Sequence, residues 1–333
     1  MTQAAPAQPG YYLAASLEPL ALFLERPDVT DITVNRPGEV WIETLGGMIE
    51  RHDVASLTTE VLARLARQIA AWSHQGVSRE HPLLAATMPD GSRIQIVLPP
   101  ATRGTIALAI RKHVSADLSL DDYAASGAFL ATQRAEARSL SDDPIASSSA
   151  QPDHATLLRR AVSERRNILI AGGTSTGKTT FLNALLREVP SSERLIAIED
   201  TPELVLTQPN SIGLLAARNV LREAAVTTDD LLNAALRMRP DRIIVGELRG
   251  GEAYTFLRTV NTGHPGSMST IHADSPEGAV NQLALLILQT GARLSWDNIV
   301  RYVRATVDVI VQLERTGGQR RVAAIWTRDE ARA

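Results

Sequence analysis

At 333 residues the chain is about two domains long, because domains typically hold roughly 100 to 200 residues. Hydrophobic residues make up 44% and mean hydropathy is -0.05, a globular balance with apolar mass for two cores. A formal net charge of -3 gives no basic excess to grip a nucleic acid backbone, and zero cysteine excludes disulfides, thiol nucleophiles and cysteine zinc sites, which suits a reducing cytoplasm.

Residues 1–10 are predicted as a disordered tail of Ala, Pro and Gln. No Lys or Arg precedes Arg26, so the signal-peptide pattern is absent. "YYLAASLEPLALFLERPD" predicts a short helix ending near Pro27, and "DITVNRPGEVWIE" a hairpin turning at Pro37 and Gly38. Residues 57–73 carry Leu57, Val61, Leu65, Ile69 and Trp72 at helical spacing. "MPDGSRIQIVLPP" and "TIALAIRKH" predict strands. Residues 116–153, with no sustained apolar period, predict a linker with one helical piece around 126–139.

From Thr156 strands and helices alternate. "NILIA" leads into a Gly-rich loop and a helix reaching Pro190; "RLIAIED" and "SIGLLA" follow as strands. "TTDDLLNAALRMRP" predicts a helix capped at Thr227 or Thr228, and "DRIIVGE" a buried strand. "GSMSTIHA", helices near 276–290 and 295–305, and a hairpin across "TGG" complete the chain. This order predicts a mostly parallel sheet covered on both faces. The longest uncharged apolar run, Gly278–Ala292, contains Asn281 and Gln282 and falls short of the ~18 residues that span a bilayer.

"GGTSTGKTT" carries the chemistry. Gly172, Gly177, Lys178 and Thr179 stand at Walker A spacing between a strand and a helix. Gly172, Gly173, Thr174, Ser175, Thr176 and Gly177 would wrap phosphate oxygens with backbone N–H groups, and Thr180 continues the first helical turn. Lys178 would reach the β and γ phosphates and Thr179 would ligate magnesium. Only two of 34 basic residues are lysines, Lys112 and Lys178; one stands where a compact ammonium differs chemically from a guanidinium. Neither lies in a guanine-reading motif, so ATP is the expected nucleotide.

Glu247 ends "IIVG" at the carboxyl edge of the sheet, where it would activate water or hold the metal's water shell. The plain alternative is an edge carboxylate paired with Arg242 or Arg249. A second acidic cluster, Glu199, Asp200 and Glu203, ends "IED" and suits magnesium chemistry or a helix cap. His264 and His272 flank "PGSMSTI"; both are candidates for the γ-phosphate side or for structural hydrogen bonds.

Taken together, "GGTSTGKTT", "IEDTPEL", "LRMRPDRIIVGELRGGEA" and "NTGHPGSMSTIHAD" resemble the Walker A, Asp box, Walker B and His box of the secretion ATPase superfamily. With "DITVNRPGEVWIE" and "MPDGSRIQIVLPP" the resemblance narrows to the traffic ATPases of type IV secretion systems, the eleventh component of the VirB system, over about residues 12–327. It implies an α/β fold: a RecA-like P-loop NTPase C-terminal domain (154–333) with a smaller α/β N-terminal domain (11–115). It also implies a homo-hexamer at the cytoplasmic face of the inner membrane, with ATP and Mg2+ at the seam between the domains. Arg93 and Arg111 match the N-domain arginines that reach the phosphates. Glu247, Glu199, Lys178 and His272 complete the expected catalytic set, and Thr179, Asp200 and Glu247 the metal set, partly through water. Expected partners are inner-membrane secretion components, other ATPases among them, and a protein or nucleoprotein cargo, without strong direct nucleic acid binding. Rival readings are a tight-adherence or type IV pilus ATPase, an ATP-gated assembly scaffold, and a DNA-translocating helicase.

Overall fold

The computed structural model describes residues 9–45, 47–73, 75–112, 118–136, 153–216, 226–316 and 319–328. Most of the expected tail, residues 116–117 and 137–152 of the expected linker, and the glycines of the "TGG" turn lie outside them. The chain divides into two compact units, the second beginning at Ala116.

The first unit is a sheet covered by helices. Its elements are α1 (Pro9–Leu17), α2 (Ala21–Glu25), β1 (Val29–Val34), β2 (Glu39–Thr44), β3 (Ile49–Asp53), α3 (Thr59–Trp72), β4 (Leu83–Thr87), β5 (Arg93–Val97) and β6 (Ala107–Arg111). The strands run β3-β2-β1-β6-β5-β4, every neighbouring pair antiparallel. The first helix breaks at Glu18, where a 3-10 turn carries Pro19; proline removes the donor a continuous helix needs there. Gly38 turns the first hairpin with φ 84, a left-handed conformation natural to glycine. α3, capped by Thr58, buries Leu62, Leu65, Ala66 and Ile69 against Ile32, Val40, Ile94 and Ile110. Trp72 stays 37% exposed, so the buried stripe runs one residue round from the sequence-predicted face.

The second unit is an α/β sandwich. It comprises α4 (Leu120–Ala125), β7 (Gln133–Glu136), α5 (His154–Ser163), β8 (Ile168–Gly172), α6 (Lys178–Arg187), β9 (Leu195–Glu199), β10 (Ser211–Leu215), α7 (Thr228–Ala235), β11 (Arg242–Leu248), α8 (Glu252–Asn261), β12 (Met268–Ile271), α9 (Pro276–Leu288), α10 (Trp296–Thr306), β13 (Val309–Thr316) and β14 (Gln319–Thr327). The eight strands run β10-β9-β11-β12-β8-β13-β14-β7, with β10 through β13 pairing in parallel. β8 is buried along its whole length. Alternation sends Ile168 and Ile170 into a core with α4, α5 and α6, and Leu169 and Ala171 into a core with α7 through α10. Both faces are thus covered, as a parallel sheet requires.

Of the expected helical piece at 126–139, the described residues 126–136 form no helix, and 137–139 lie outside them. A helix forms earlier, at 120–125, where Ser119 and Asp122 make a reciprocal capping box and Leu120 and Tyr123 enter the core beside Phe181. Gly127, at φ 75, turns the chain into β7, which pairs with β14 from Ala324↔Gln133 to Thr327↔Glu136. That strand exists because β14 offers an edge, a partner invisible in the local sequence.

Candidate functional site

β8 delivers a loop at the carboxyl edge of its sheet. Ser175 at φ 60 and Gly177 at φ 90 curl it, and α6 starts at Lys178 with no side-chain cap. The first N–H groups of a helix have no partner within it, so the loop and first turn present donors to an anion. A Cβ on Gly172 would stand 2.5 Å from Thr176 Oγ1 and 3.0 Å from the Leu313 carbonyl; only glycine fits. Thr176 Oγ1 donates to the Gly173 carbonyl at 2.9 Å, fixing the curl. Lys178, 9% exposed, donates to the carbonyls of Gly172 at 3.0 Å and Gly173 at 2.9 Å. Gly173 and Thr174 are exposed, while Thr179 and Thr180 are half-buried in the first turn. Donors, glycine cradle and ammonium together fit a nucleotide phosphate chain.

The strand order builds the other side. β12 lies between β8 and β11, so His272, just past β12, stands between the loop lysine and the acid of β11. Both ring nitrogens of His272 lie 3.5 Å from Lys178 Nζ, and Nε2 is at ion-pair distance, 2.8 Å, from Glu247 Oε1. Arg249 Nε donates to Glu247 Oε2 at 2.6 Å, and Arg249 Nη1 lies 3.8 Å from Asp200 Oδ2. Lys178, His272, Glu247, Arg249 and Asp200 therefore form one file across the carboxyl edge.

Glu199 has a different place. It is 6% exposed, and its Oε1 accepts the N–H groups of Glu203 and Leu204, both at 2.8 Å. This carboxylate holds the turn after β9 in shape. Of the two arginines considered for Glu247, Arg249 makes the pair. Arg242 starts β11 at the opposite end, fully buried, and binds Glu193 at 2.5 Å and 3.0 Å; the guanidinium beside it holds the Glu193 carboxyl below its usual range. His264 is likewise remote from the loop. It precedes β12 and its Nδ1 lies 3.3 Å from the Thr259 carbonyl, while His272 follows the strand. Four strand residues separate the two ends by about 13 Å, so only His272 belongs to the phosphate side.

Arg93 and Arg111 belong to the first unit. They are direct partners across β5 and β6, with Asp31 opposite Arg111 on β1. Like charges facing each other across strands are unfavourable, so two arginines in register are a costly way to build a surface. One residue near the loop escapes sequence reading altogether: Arg320 of β14, whose Cδ lies 3.1 Å from where a Gly177 Cβ would stand.

The type II/IV secretion system protein family profile matches residues 14–321. This chain belongs to that family. The type IV secretion system protein VirB11 of Bartonella quintana is 38% identical over 325 residues, 93% of this chain and 91% of that one. The VirB11 ATPase of the Brucella suis type IV secretion system, solved with sulphate, is 38% identical over 95% of this chain and 97% of that chain, with a TM-score of 0.49; there the sequence carries the likeness. The pilus retraction motor PilT, solved with ADP, is 20% identical, covers 96% of this chain and 83% of that chain, and superposes with a TM-score of 0.60. The fold is accordingly the RecA-like P-loop fold shared with that motor, and the chain is an ATPase of the type II/IV secretion system protein family. Among the described residues no helix is long and apolar enough to cross a membrane.

Proposed function

We propose that this secretion ATPase hydrolyses ATP with magnesium to power substrate translocation, pilus biogenesis or both in a type IV secretion system. It would work as a homo-hexamer at the cytoplasmic face of the inner membrane, beside other secretion components. The observation that carries the reading is the file of Lys178, His272 and Glu247 at the mouth of the glycine loop. ATP supplies a γ-phosphoryl group whose transfer to water spreads negative charge over its oxygens.

The protein's part is to hold charge and water in place. Residues 172–180 wrap the phosphates, with Lys178 countering their charge. Thr179 would offer its hydroxyl to magnesium. Among the described residues no three His, Asp or Glu gather to hold a cation, so Asp200 and Glu247 would reach the metal through water, as suits that ion. Glu247 is the principal base: Glu199 already spends an oxygen on two backbone donors. His272 orients Glu247 and couples it to the lysine. Arg93 and Arg111 would add positive charge to the phosphates from the N-terminal domain.

A scaffold that only binds nucleotide needs no carboxylate across the mouth of the loop, and here one is held in place from two sides. Glu247→Gln tests the point, because it keeps the shape and removes the base. ATP affinity is expected within a few-fold of wild type, with kcat down by about 10² or more and transport lost. Turnover within threefold of wild type would exclude Glu247 as the base, and retained transport without turnover would favour the scaffold.

A further inference from the structure

Gln312 of β13 is buried in a place that packing alone would give to a hydrophobe. β8 lies between β12 and β13, and its Ala171 is in register with Ile271 of β12 and with Gln312. In-register residues of parallel strands share a face. Ile271 and Ala171 face the core under α7 through α10, as does Ile310, two residues before Gln312. Gln312 itself is 4% exposed.

The amide is satisfied at one end. Nε2 donates to the Ala273 carbonyl at 3.2 Å and to the Leu313 carbonyl at 3.1 Å, while Oε1 is buried and meets no donor among the described residues. Turning the amide over gives no relief, because both partners are carbonyls and an amide oxygen has no hydrogen to donate. A buried acceptor without a donor costs stability, so leucine or methionine would fill this place without that penalty. What neither could do is hold the Ala273 carbonyl.

Ala273 follows His272 in the chain, just past β12. The bond thus reaches from β13 across β8, two strand spacings or about 10 Å, and fastens the peptide next to the histidine. His272 is not wedged by packing, its side chain being 47% exposed, so the backbone that carries it sets where the ring lies. That ring stands 3.5 Å from Lys178 Nζ and 2.8 Å from Glu247 Oε1. We infer that Gln312 is a positioning residue of ATP hydrolysis: through the Ala273 carbonyl it fixes the segment carrying His272, and with it the spacing of Lys178, His272 and Glu247. The inference rests on reading that file as the γ-phosphate side. Small misplacements slow a reaction that depends on alignment, whereas ADP, held by the glycine loop, does not call on the histidine.

The experiment uses the full chain and compares Gln312→Leu, His272→Ala and the double variant by ADP affinity and by single-turnover ATP hydrolysis per bound nucleotide. Gln312→Leu is expected to keep ADP affinity within about twofold and to slow hydrolysis on the order of tenfold. The double variant should match His272→Ala within about twofold, because residues that act through one another do not add. A Gln312→Leu rate within twofold of wild type, a fall in ADP affinity equal to the fall in rate, or the same loss in both backgrounds overturns the inference alone. If His272→Ala drops to the Lys178→Ala background, the rate of Gln312→Leu against its ADP affinity decides. Should Gln312→Leu not fold, Gln312→Met, which keeps the length and removes the amide, carries the same comparison; if neither folds, the amide serves the fold and the inference fails. A wild-type rate in His272→Ala would overturn the reading of the file, and this inference with it.

Discussion

Arg242, which the sequence offers as a partner for Glu247, pairs instead with Glu193. Arg242 is fully buried at the start of β11, and its guanidinium makes a two-point bond to Glu193. Gly266 at φ 83 lets it lie there, since a Cβ would stand 2.8 Å from Arg242 Nη1. Glu193→Gln leaves a buried charge without its partner and should cost about 3 to 5 kcal/mol, measured by denaturant unfolding. The sign with pH follows from the depressed carboxyl: its contribution is complete above the ordinary range near 4.5 and is lost as pH falls through the lower folded value. Wild type should therefore lose stability below about pH 4.5 more steeply than Glu193→Gln. Equal acid slopes would mean that the pair is not a source of that stability. At this scale the sequence was most legible where chemistry is local. The loop residues 172–180 and Glu247 could be read because a phosphate loop and a strand-ending acid are contiguous patterns. The choice between Arg242 and Arg249 could not, because both flank Glu247 along the chain and only the length of β11 separates them. Arg320 was hidden for the same reason, since its place against Gly177 depends on two strands packing beside β8.

Elements that carry their own pattern were also legible. α3, the first hairpin and the run from β8 to β14 each announce themselves by period, cap or turn. β3 does not: "IERHD" has no apolar run, and the strand forms because β2 offers it hydrogen bonds. α4 and β7 are the instructive case, because their segment has a linker's composition yet joins the core of the second unit. Tyr123 is 5% exposed, and its ring packs edge-on to Phe181 of α6 at 4.9 Å between centroids. Tyr123→Ala should destabilise the second unit by about 3 kcal/mol, seen as a lower denaturant midpoint with an unchanged slope. A change below about 0.5 kcal/mol, the range of ordinary surface substitutions, would return the segment to the status of a linker.

At the scale of the whole molecule the chemistry is divided. In the proposed mechanism Lys178, Glu247 and His272 act from the second unit, while Arg93 and Arg111 would act from the first. A motor that converts turnover into movement gains from such a division, because contact with phosphate can be made and broken as the domains move. In a ring, neighbours would set when those contacts form. Ring dependence of the proposed ATPase is tested by ATP turnover per protomer across protein concentrations that span assembly, with Lys178→Ala as background. Specific activity is expected to rise as the ring assembles and then to level off. Activity above background that stays flat down to the monomer would contradict it, because each site would then be complete without its neighbours.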